Sequence, residues 1–199
     1  ILTLVWGVLP VNAAGPADIN DPAEFEMWCA EFISRQLENY HIPGAALSVV
    51  KNGETLLARG WGYADLDLGT PVDPEHTLFR IASISKLFTW TAVMQLVERG
   101  VLRLDVDVNE YLTDFQIPAT YPQPITLAHL MAHTAGFEDR GIGTLGNPQK
   151  PIQPLGEYLK QHMPARVRPP GEVSMYSNYG AALAGYIVAR ATGETYEEY

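Results

Sequence analysis

One β-hairpin is the only strand pair that the sequence predicts, and this limits the possible folds more than any other feature. Two apolar, β-rich runs at residues 45–50 and 55–63 flank Asn52 and Gly53, the dipeptide typical of a type I′ turn. Every later segment is predicted as helix or loop. Since two strands alone form no stable sheet, either a helical fold carries an appended hairpin or further strands follow Tyr199. We expect the second, because the sequence ends one turn into a capped helix.

Capping residues and apolar spacing mark the helices. The first is predicted from about 22 to 40, after Asp21 as N-cap and Pro22 in the first turn. A second, ended by Gly100, is expected to be buried on most sides. This second helix covers about residues 83–99. Further helices are predicted at 126–133 and 178–192, a weaker one after residue 105, and another that begins at residue 195. Two loops are predicted, at residues 64–76 and 137–154. The second loop is expected to line one side of a pocket.

Composition excludes several classes of protein. The 199 residues are 47% hydrophobic and carry a net charge of −10, which fits one globular domain and argues against a duplex nucleic-acid binder. Cys29 is the only cysteine, so the chain can form no internal disulfide and no cysteine-based zinc site.

The first residues resemble the end of an export signal. Residues 1–14 form an apolar stretch that ends in small residues of the kind that signal peptidases prefer. The stretch is too short to span a bilayer. A buried strand or helix is the alternative. We expect residues 1–13 to be a signal-peptide remnant, which predicts a secreted or periplasmic protein.

Serine followed three positions later by lysine is a candidate pair of nucleophile and base, and this chain contains the pattern twice. Ser48 and Lys51 lie on a predicted strand, where residues three apart point to opposite faces. Ser83 and Lys86 open an apolar helix, where they share a face and where free backbone amides can stabilise an oxyanion. Only the second pair is therefore expected to act together.

The predicted surroundings of Lys86 favour a proton-accepting amine. Burial among Phe79, Leu87 and Phe88 would lower the pKa of the amine and make its neutral form accessible. The alternative is ordinary, with Ser83 as a helix N-cap and Lys86 in solvent.

Tyr176, Ser177 and Asn178 follow a proline-rich turn and precede a helix. A phenol becomes a usable base where ammonium groups stabilise the phenolate. An amide side chain such as that of Asn178 both donates and accepts, so it can orient Lys86 and hold a substrate amide. A surface turn with Asn178 as N-cap is the alternative.

Together these segments resemble the penicillin-recognising serine hydrolases, above all the branch of class C β-lactamases, D-alanyl-D-alanine carboxypeptidases and family VIII esterases. The motif Phe79-Arg-Ile-Ala-Ser83-Ile-Ser-Lys86 is similar to the nucleophile motif of that family, and Tyr176-Ser-Asn178 to its second motif. The run Leu127-Ala-His-Leu-Met-Ala-His-Thr-Ala-Gly136 resembles a structural helix and turn between them. The resemblance covers about residues 20–199.

The resemblance implies an α+β fold of the β-lactamase/transpeptidase type, with an antiparallel sheet flanked by helices and a helical subdomain at about 77–192. Residues 14–199 would be the N-terminal portion of that domain, with the C-terminal strands missing. It implies Ser83 as acylated nucleophile, Lys86 as its proton partner, Tyr176 as general base and acid, and Asn178 as a substrate-binding residue. We expect no cofactor and no metal. The family's third motif, Lys or His followed by Thr or Ser and Gly, is absent from this sequence.

The predicted function is that of a secreted serine hydrolase forming an acyl-enzyme on amide or ester substrates: D-Ala-D-Ala peptides, β-lactams or short acyl esters. The expected partner is thus a small-molecule or peptide substrate, with no nucleic acid, and membrane attachment only through regions outside this sequence. The alternative is a non-catalytic scaffold, or an inactive truncated fragment, that acts as a binding protein.

Two further patterns are weaker. His129 and His133 have the spacing of zinc ligands on a helix, but Leu130 stands where a metalloprotease carries Glu, so structural histidines are favoured. Gly141, Gly143 and Gly146 match a dinucleotide-binding pattern without a preceding strand, which favours a loop.

Overall fold

The computed structural model describes residues 17–139 and 153–199, so the predicted signal remnant and most of the long loop lie outside the described residues. The chain divides into two compact units, Ile1–Arg80 and Ile81–Tyr199. Of the helices in the described ranges, none is both long and apolar enough to cross a membrane. The first unit contains α1 (Pro22–Tyr40), β1 (Gly44–Lys51), β2 (Glu54–Asp65) and β3 (Thr70–Pro71). The second contains α2 (Ser85–Glu98), α3 (Leu127–Met131), α4 (Leu155–Gln161) and α5 (Asn178–Thr192).

The first helix and the hairpin form as predicted. The Asp21 carboxylate accepts from the amides of Ala23 and Glu24, which fixes the start of α1. Strands β1 and β2 pair antiparallel, and the turn between them places Asn52 and Gly53 at φ 53° and 83°, as a type I′ turn requires. Helix α1 packs mainly against β2.

The prediction that no strand follows the hairpin is wrong. Strand β3 pairs antiparallel with the end of β2, giving a three-stranded sheet in the order β1-β2-β3. Part of the segment predicted as a loop at 64–76 is therefore sheet. The two residues of β3 lie between turn-forming residues, and a strand this short has no alternation from which to predict it.

Helix α5 is the centre of the second unit. It packs against α2, α3 and α4, and nine of its fifteen residues are buried. Leu183, Ile187 and Val188 are fully inaccessible to solvent. Around them lies one continuous apolar cluster that includes Val93, Leu96, Leu102, Val108, Leu127, Leu130, Phe137 and Leu159. This packing holds the first turn of α5 close to the start of α2.

Several predicted helix bounds change. Residues Ala82–Ile84 form a 3-10 turn before α2, and the weak helix after 105 is a 3-10 turn at Val108–Tyr111. Helix α3 ends at Met131 rather than His133, which has a left-handed backbone. Residues after Thr195 form a single turn, and α4 was not predicted at all. Helix α5 ends at Gly193, as expected.

Helix α2 is less buried than its sequence predicts. Its buried residues are Thr89, Ala92, Val93 and Leu96, which form one face. Leu87 and Phe88 are 59% and 67% exposed. The helix is apolar nearly all round, so its sequence does not show which face meets the core.

Replacing Gly136 with alanine should destabilise the second unit. Gly136 has φ 76°, and a Cβ built there would lie 2.0 Å from the carbonyl oxygen of Arg168. A left-handed alanine costs about 1–2 kcal/mol, and relieving such a contact costs about 1–3 kcal/mol more. We expect a loss of about 3 kcal/mol in the free energy of unfolding, measured by urea denaturation.

Gly193→Ala is the matched control. Gly193 has φ 75°, but a Cβ added to it would meet no described atom within 4 Å beyond its own neighbours. We therefore expect this variant to lose only the conformational part, about 1–2 kcal/mol. Equal losses in the two variants would show that the close approach to Arg168 has no energetic weight.

Candidate active site

Ser83 lies at the entrance to α2, inside the 3-10 turn. The preceding residue, Ala82, has φ 47°, a left-handed conformation that costs a non-glycine residue free energy and is concentrated at functional sites. The Ser83 side chain is exposed. Its backbone N–H donates to none of the carbonyls in the described residues, so it is free to bind an oxygen atom placed beside the hydroxyl.

Lys86 lies one turn further on and points back at Ser83. Its Nζ donates to Ser83 Oγ at 3.1 Å and to Asn178 Oδ1 at 2.7 Å. The predicted burial among Phe79, Leu87 and Phe88 is wrong, because these side chains are 46%, 59% and 67% exposed and Lys86 itself is half-buried. Polar partners, rather than an apolar pocket, hold the amine in place.

Tyr176 reaches the same hydroxyl from the segment before α5. Its Oη donates to Ser83 Oγ at 2.5 Å, and Lys86 Nζ lies 4.8 Å from the centre of its ring. Burial acts to raise the pKa of the phenol. Interaction with Lys86 and Ser83 outweighs burial, so that the pKa of Tyr176 lies below its ordinary value. The phenol is therefore closer to a usable base than a free tyrosine.

Asn178 is the first residue of α5, and the N-cap is Ser177 rather than Asn178. Ser177 is 4% exposed and its Oγ accepts from the amide of Gly180 at 3.0 Å. Because the cap is supplied by its neighbour, the Asn178 side chain is left to accept from Lys86. Its amide nitrogen remains a donor that can face a substrate carbonyl.

The structure thus brings Ser83, Lys86, Tyr176 and Asn178 together in one hydrogen-bonded cluster. In the second serine-lysine pair, Lys51 Nζ instead donates to Asn20 Oδ1 at 2.5 Å, and Ser48 is exposed on β1. The long loop that was expected to line a pocket lies largely outside the described residues, at 140–152.

The two histidines of α3 and its following turn have separate roles. His129 Nδ1 accepts from the amide of Thr126, which completes a capping box. His133 packs on Tyr176, with ring centres 4.6 Å apart, and its Nδ1 accepts from the amide of Ser177. The sequence spacing suggested a metal pair or structural residues and missed the contact between His133 and Tyr176.

Comparison with known proteins adds an independent observation. The family model described as Beta-lactamase matches residues 29–199. Protein flp of Staphylococcus aureus (strain MRSA252) is 32% identical over 169 residues, which are 84% of this chain and 34% of the relative. Esterase EstB of Burkholderia gladioli is 37% identical over 126 residues, 59% of this chain and 32% of the relative.

Solved structures show the same fold. The octameric penicillin-binding protein homologue from Pyrococcus abyssi superposes with a TM-score of 0.72 at 32% identity, covering 85% of this chain and 40% of the other. The predicted fold class, helices with a small antiparallel sheet of the β-lactamase/transpeptidase type, is confirmed. The chain spans about a third of the length of the curated relatives it matches.

Proposed function

Since this chain belongs to the beta-lactamase family, we propose that the protein containing it is a serine hydrolase that forms an acyl-enzyme on Ser83. One observation carries the proposal. Ser83 Oγ accepts hydrogen bonds from both Lys86 Nζ and Tyr176 Oη, so two proton carriers converge on one exposed hydroxyl. A helix N-cap with a solvated lysine would show neither contact.

The proposed first step is attack by Ser83 Oγ on a substrate carbonyl carbon. As the Oγ–C bond forms, the hydroxyl proton passes to Tyr176 in its phenolate form or to Lys86 in its neutral amine form, and the carbonyl electron pair moves onto oxygen. The free N–H of Ser83 supports that oxyanion. The tetrahedral species then collapses, the bond to the leaving nitrogen or oxygen breaks, and the leaving group takes up the proton.

The second half of the cycle returns the enzyme. Water adds to the acyl carbon and loses a proton to the same pair, and the ester bond to Ser83 Oγ breaks as the serine recovers its proton. Asn178 holds Lys86 through Oδ1 throughout, and its amide nitrogen can donate to the substrate. No step requires a cofactor.

The substrate is proposed as a class: an amide such as a β-lactam or D-Ala-D-Ala peptide, or a short acyl ester. The likeness to Esterase EstB favours including esters. Comparing a chromogenic cephalosporin with a nitrophenyl butyrate separates the two groups. A secreted or periplasmic location remains a proposal that rests on residues 1–14.

Covalent labelling tests the mechanism. The full-length protein carrying this chain is treated with a fluorescent penicillin and, separately, with a fluorophosphonate, and the adduct is located by peptide mass spectrometry. We expect a single adduct on Ser83. An adduct on another residue would overturn the mechanism, and no adduct from either probe would favour the non-catalytic scaffold.

Tyr176→Phe tests the proton carrier. The substitution keeps the ring and removes the phenol, so it leaves Ser83 with Lys86 alone. We expect kcat to fall by about 10²-fold with KM little changed, the scale of one general acid-base group. Tyr63→Phe, at a half-exposed tyrosine of β2, is the control. Equal activity of the two variants would remove Tyr176 from the mechanism.

A further inference from the structure

His133 contacts the Tyr176 segment at three consecutive residues. The amide of Met175 donates to the backbone oxygen of His133 at 2.6 Å, and the amide of Ser177 donates to its Nδ1 at 3.2 Å. Between these two bonds, the imidazole packs against the phenol ring at 4.6 Å and an interplanar angle of 37°. Both neighbours of Tyr176 and its ring are thus held by one residue.

The local backbone explains how His133 reaches this position. Helix α3 has ended at Met131, and His133 takes a left-handed conformation with φ 55° while its N–H donates to the oxygen of Leu130. This turns the chain toward the segment before α5. Trp90 of α2 meets the imidazole edge-on, with ring centres 6.0 Å apart. The ring is therefore fixed from two sides.

We propose that His133 is a positioning residue, which holds the Tyr176 phenol on Ser83 Oγ by accepting the Ser177 amide and packing on the ring. The inference rests on the proposed function. A general base must lie within hydrogen-bond reach of the proton it removes, and a misplacement of about 1 Å can cost about 10²-fold in rate. Tyr176 is 45% exposed, and the other contacts described for its side chain are with Ser83 Oγ and Lys86 Nζ, which belong to the proposed site itself.

The contact works only with a neutral imidazole. Nδ1 can accept an N–H only when it carries no proton, which places the ring proton on Nε2. Burial, and then the charge of Lys86, hold the pKa of His133 below its ordinary value. The titratable groups around it are Lys86 from α2 and Tyr176 itself, with the Asp139 carboxylate acting on Tyr176. Protonation would remove the acceptor and add a cation beside Lys86.

Three substitutions separate the ring from the acceptor. His133→Asn keeps an acceptor near the position of Nδ1 and cannot be protonated, His133→Phe keeps a ring without an acceptor, and His133→Ala removes both. The matched control is His129→Asn, because His129 also accepts a backbone amide through Nδ1, while no ring contact or hydrogen bond with Tyr176 is described for it. His162→Asn is an exposed second control.

The test measures kcat and KM of the full-length variants for a nitrophenyl ester, after the wild-type adduct on Ser83 has been located. We expect His133→Ala and His133→Phe to lower kcat by about 10- to 100-fold with KM within about threefold. His133→Asn should stay within about fivefold of the wild type at pH 8. Both controls should keep kcat at the wild-type value per folded molecule.

The pH profile supplies a readout that a merely structural role would not change. Below about pH 6.5, the ordinary pKa of imidazole, the wild type should lose kcat faster than His133→Asn as the pH falls. Ionisable groups that affect both proteins equally do not change the ratio of the wild-type kcat to the His133→Asn kcat, so this ratio reports the titration of His133.

Each outcome either supports or overturns the positioning role of His133. If the wild type carries no adduct on Ser83, the proposed function fails and the inference fails with it. If the adduct is present, a His133→Ala kcat equal to that of His129→Asn overturns the positioning role alone. If His133→Ala does not fold, two other results overturn the positioning role. One is a kcat for His133→Asn as low as that for His133→Phe. The other is a ratio of wild-type kcat to His133→Asn kcat that does not change with pH.

Discussion

Ser83→Ala should abolish covalent labelling and reduce kcat/KM by about 10⁴-fold or more, because the proposed acyl bond forms at the Ser83 hydroxyl that the substitution removes. Lys86 and Tyr176 would remain in this variant. In the unsubstituted protein both donate hydrogen bonds to Ser83 Oγ, and neither is placed to attack the substrate carbonyl carbon itself. The substitution removes one exposed oxygen atom, so the fold should persist. Mass spectrometry after labelling and steady-state ester hydrolysis measure the two effects.

Ser48→Ala is the control for this prediction, since Ser48 belongs to the other serine-lysine pair and lies exposed on β1. It should be labelled and turn over substrate as the wild type does. Residual hydrolysis of Ser83→Ala within about tenfold of the wild type would contradict an acyl-enzyme on Ser83, since loss of a nucleophile costs far more.

Lys86→Gln should reduce the rate of acylation by about 10³-fold, within the range of general acid-base groups. Glutamine keeps an N–H donor on this side chain, one bond nearer the backbone than Nζ, while the charge and the amine are lost. The phenol of Tyr176 also loses one of the two neighbours that lower its pKa, so a smaller fraction of it is in the phenolate form that can accept a proton. Stopped-flow labelling measures the rate directly.

Lys86→Arg distinguishes charge from proton acceptance, because arginine stays protonated. We expect it to be as slow as Lys86→Gln, whereas recovery toward the wild-type rate would show that Lys86 acts by charge alone. Lys51→Gln is the control at the second pair, where the amine donates to Asn20. A loss in Lys51→Gln equal to that in Lys86→Gln would contradict the assignment.

Local signals predicted much of this fold. Asp21 and Pro22 set the start of α1, Asn52 and Gly53 set the hairpin turn, and Gly193 set the end of α5. Each is a residue whose own side chain or backbone freedom decides the conformation nearby. Such features require no knowledge of distant contacts, so the sequence alone is enough.

The failures have different causes. Strand β3 exists only because β2 extends far enough to pair with it, and α4 begins after Pro154 without a side-chain cap and contains Gly156. The surroundings of Lys86 depend on which face of α2 meets α5. The pairing of β3 is local but too short to leave a pattern, whereas α4 and the surroundings of Lys86 depend on packing between segments that are distant in sequence.

The candidate site contains residues that local sequence patterns predict and one contact that they do not. The residue types and spacings of Ser83, Lys86, Tyr176 and Asn178 were enough to select them. The contact of His133 with Tyr176 joins the turn after α3 to a segment more distant along the chain, and no spacing rule reports it.

The hydrogen bond from Lys86 to Asn178 joins the first turn of α2 to the first turn of α5. The Ser83 hydroxyl and its partners therefore come together only when α5 is packed on the core. On the proposed function, we expect covalent labelling of Ser83 to report native tertiary structure and to be lost on partial unfolding before the helix content declines.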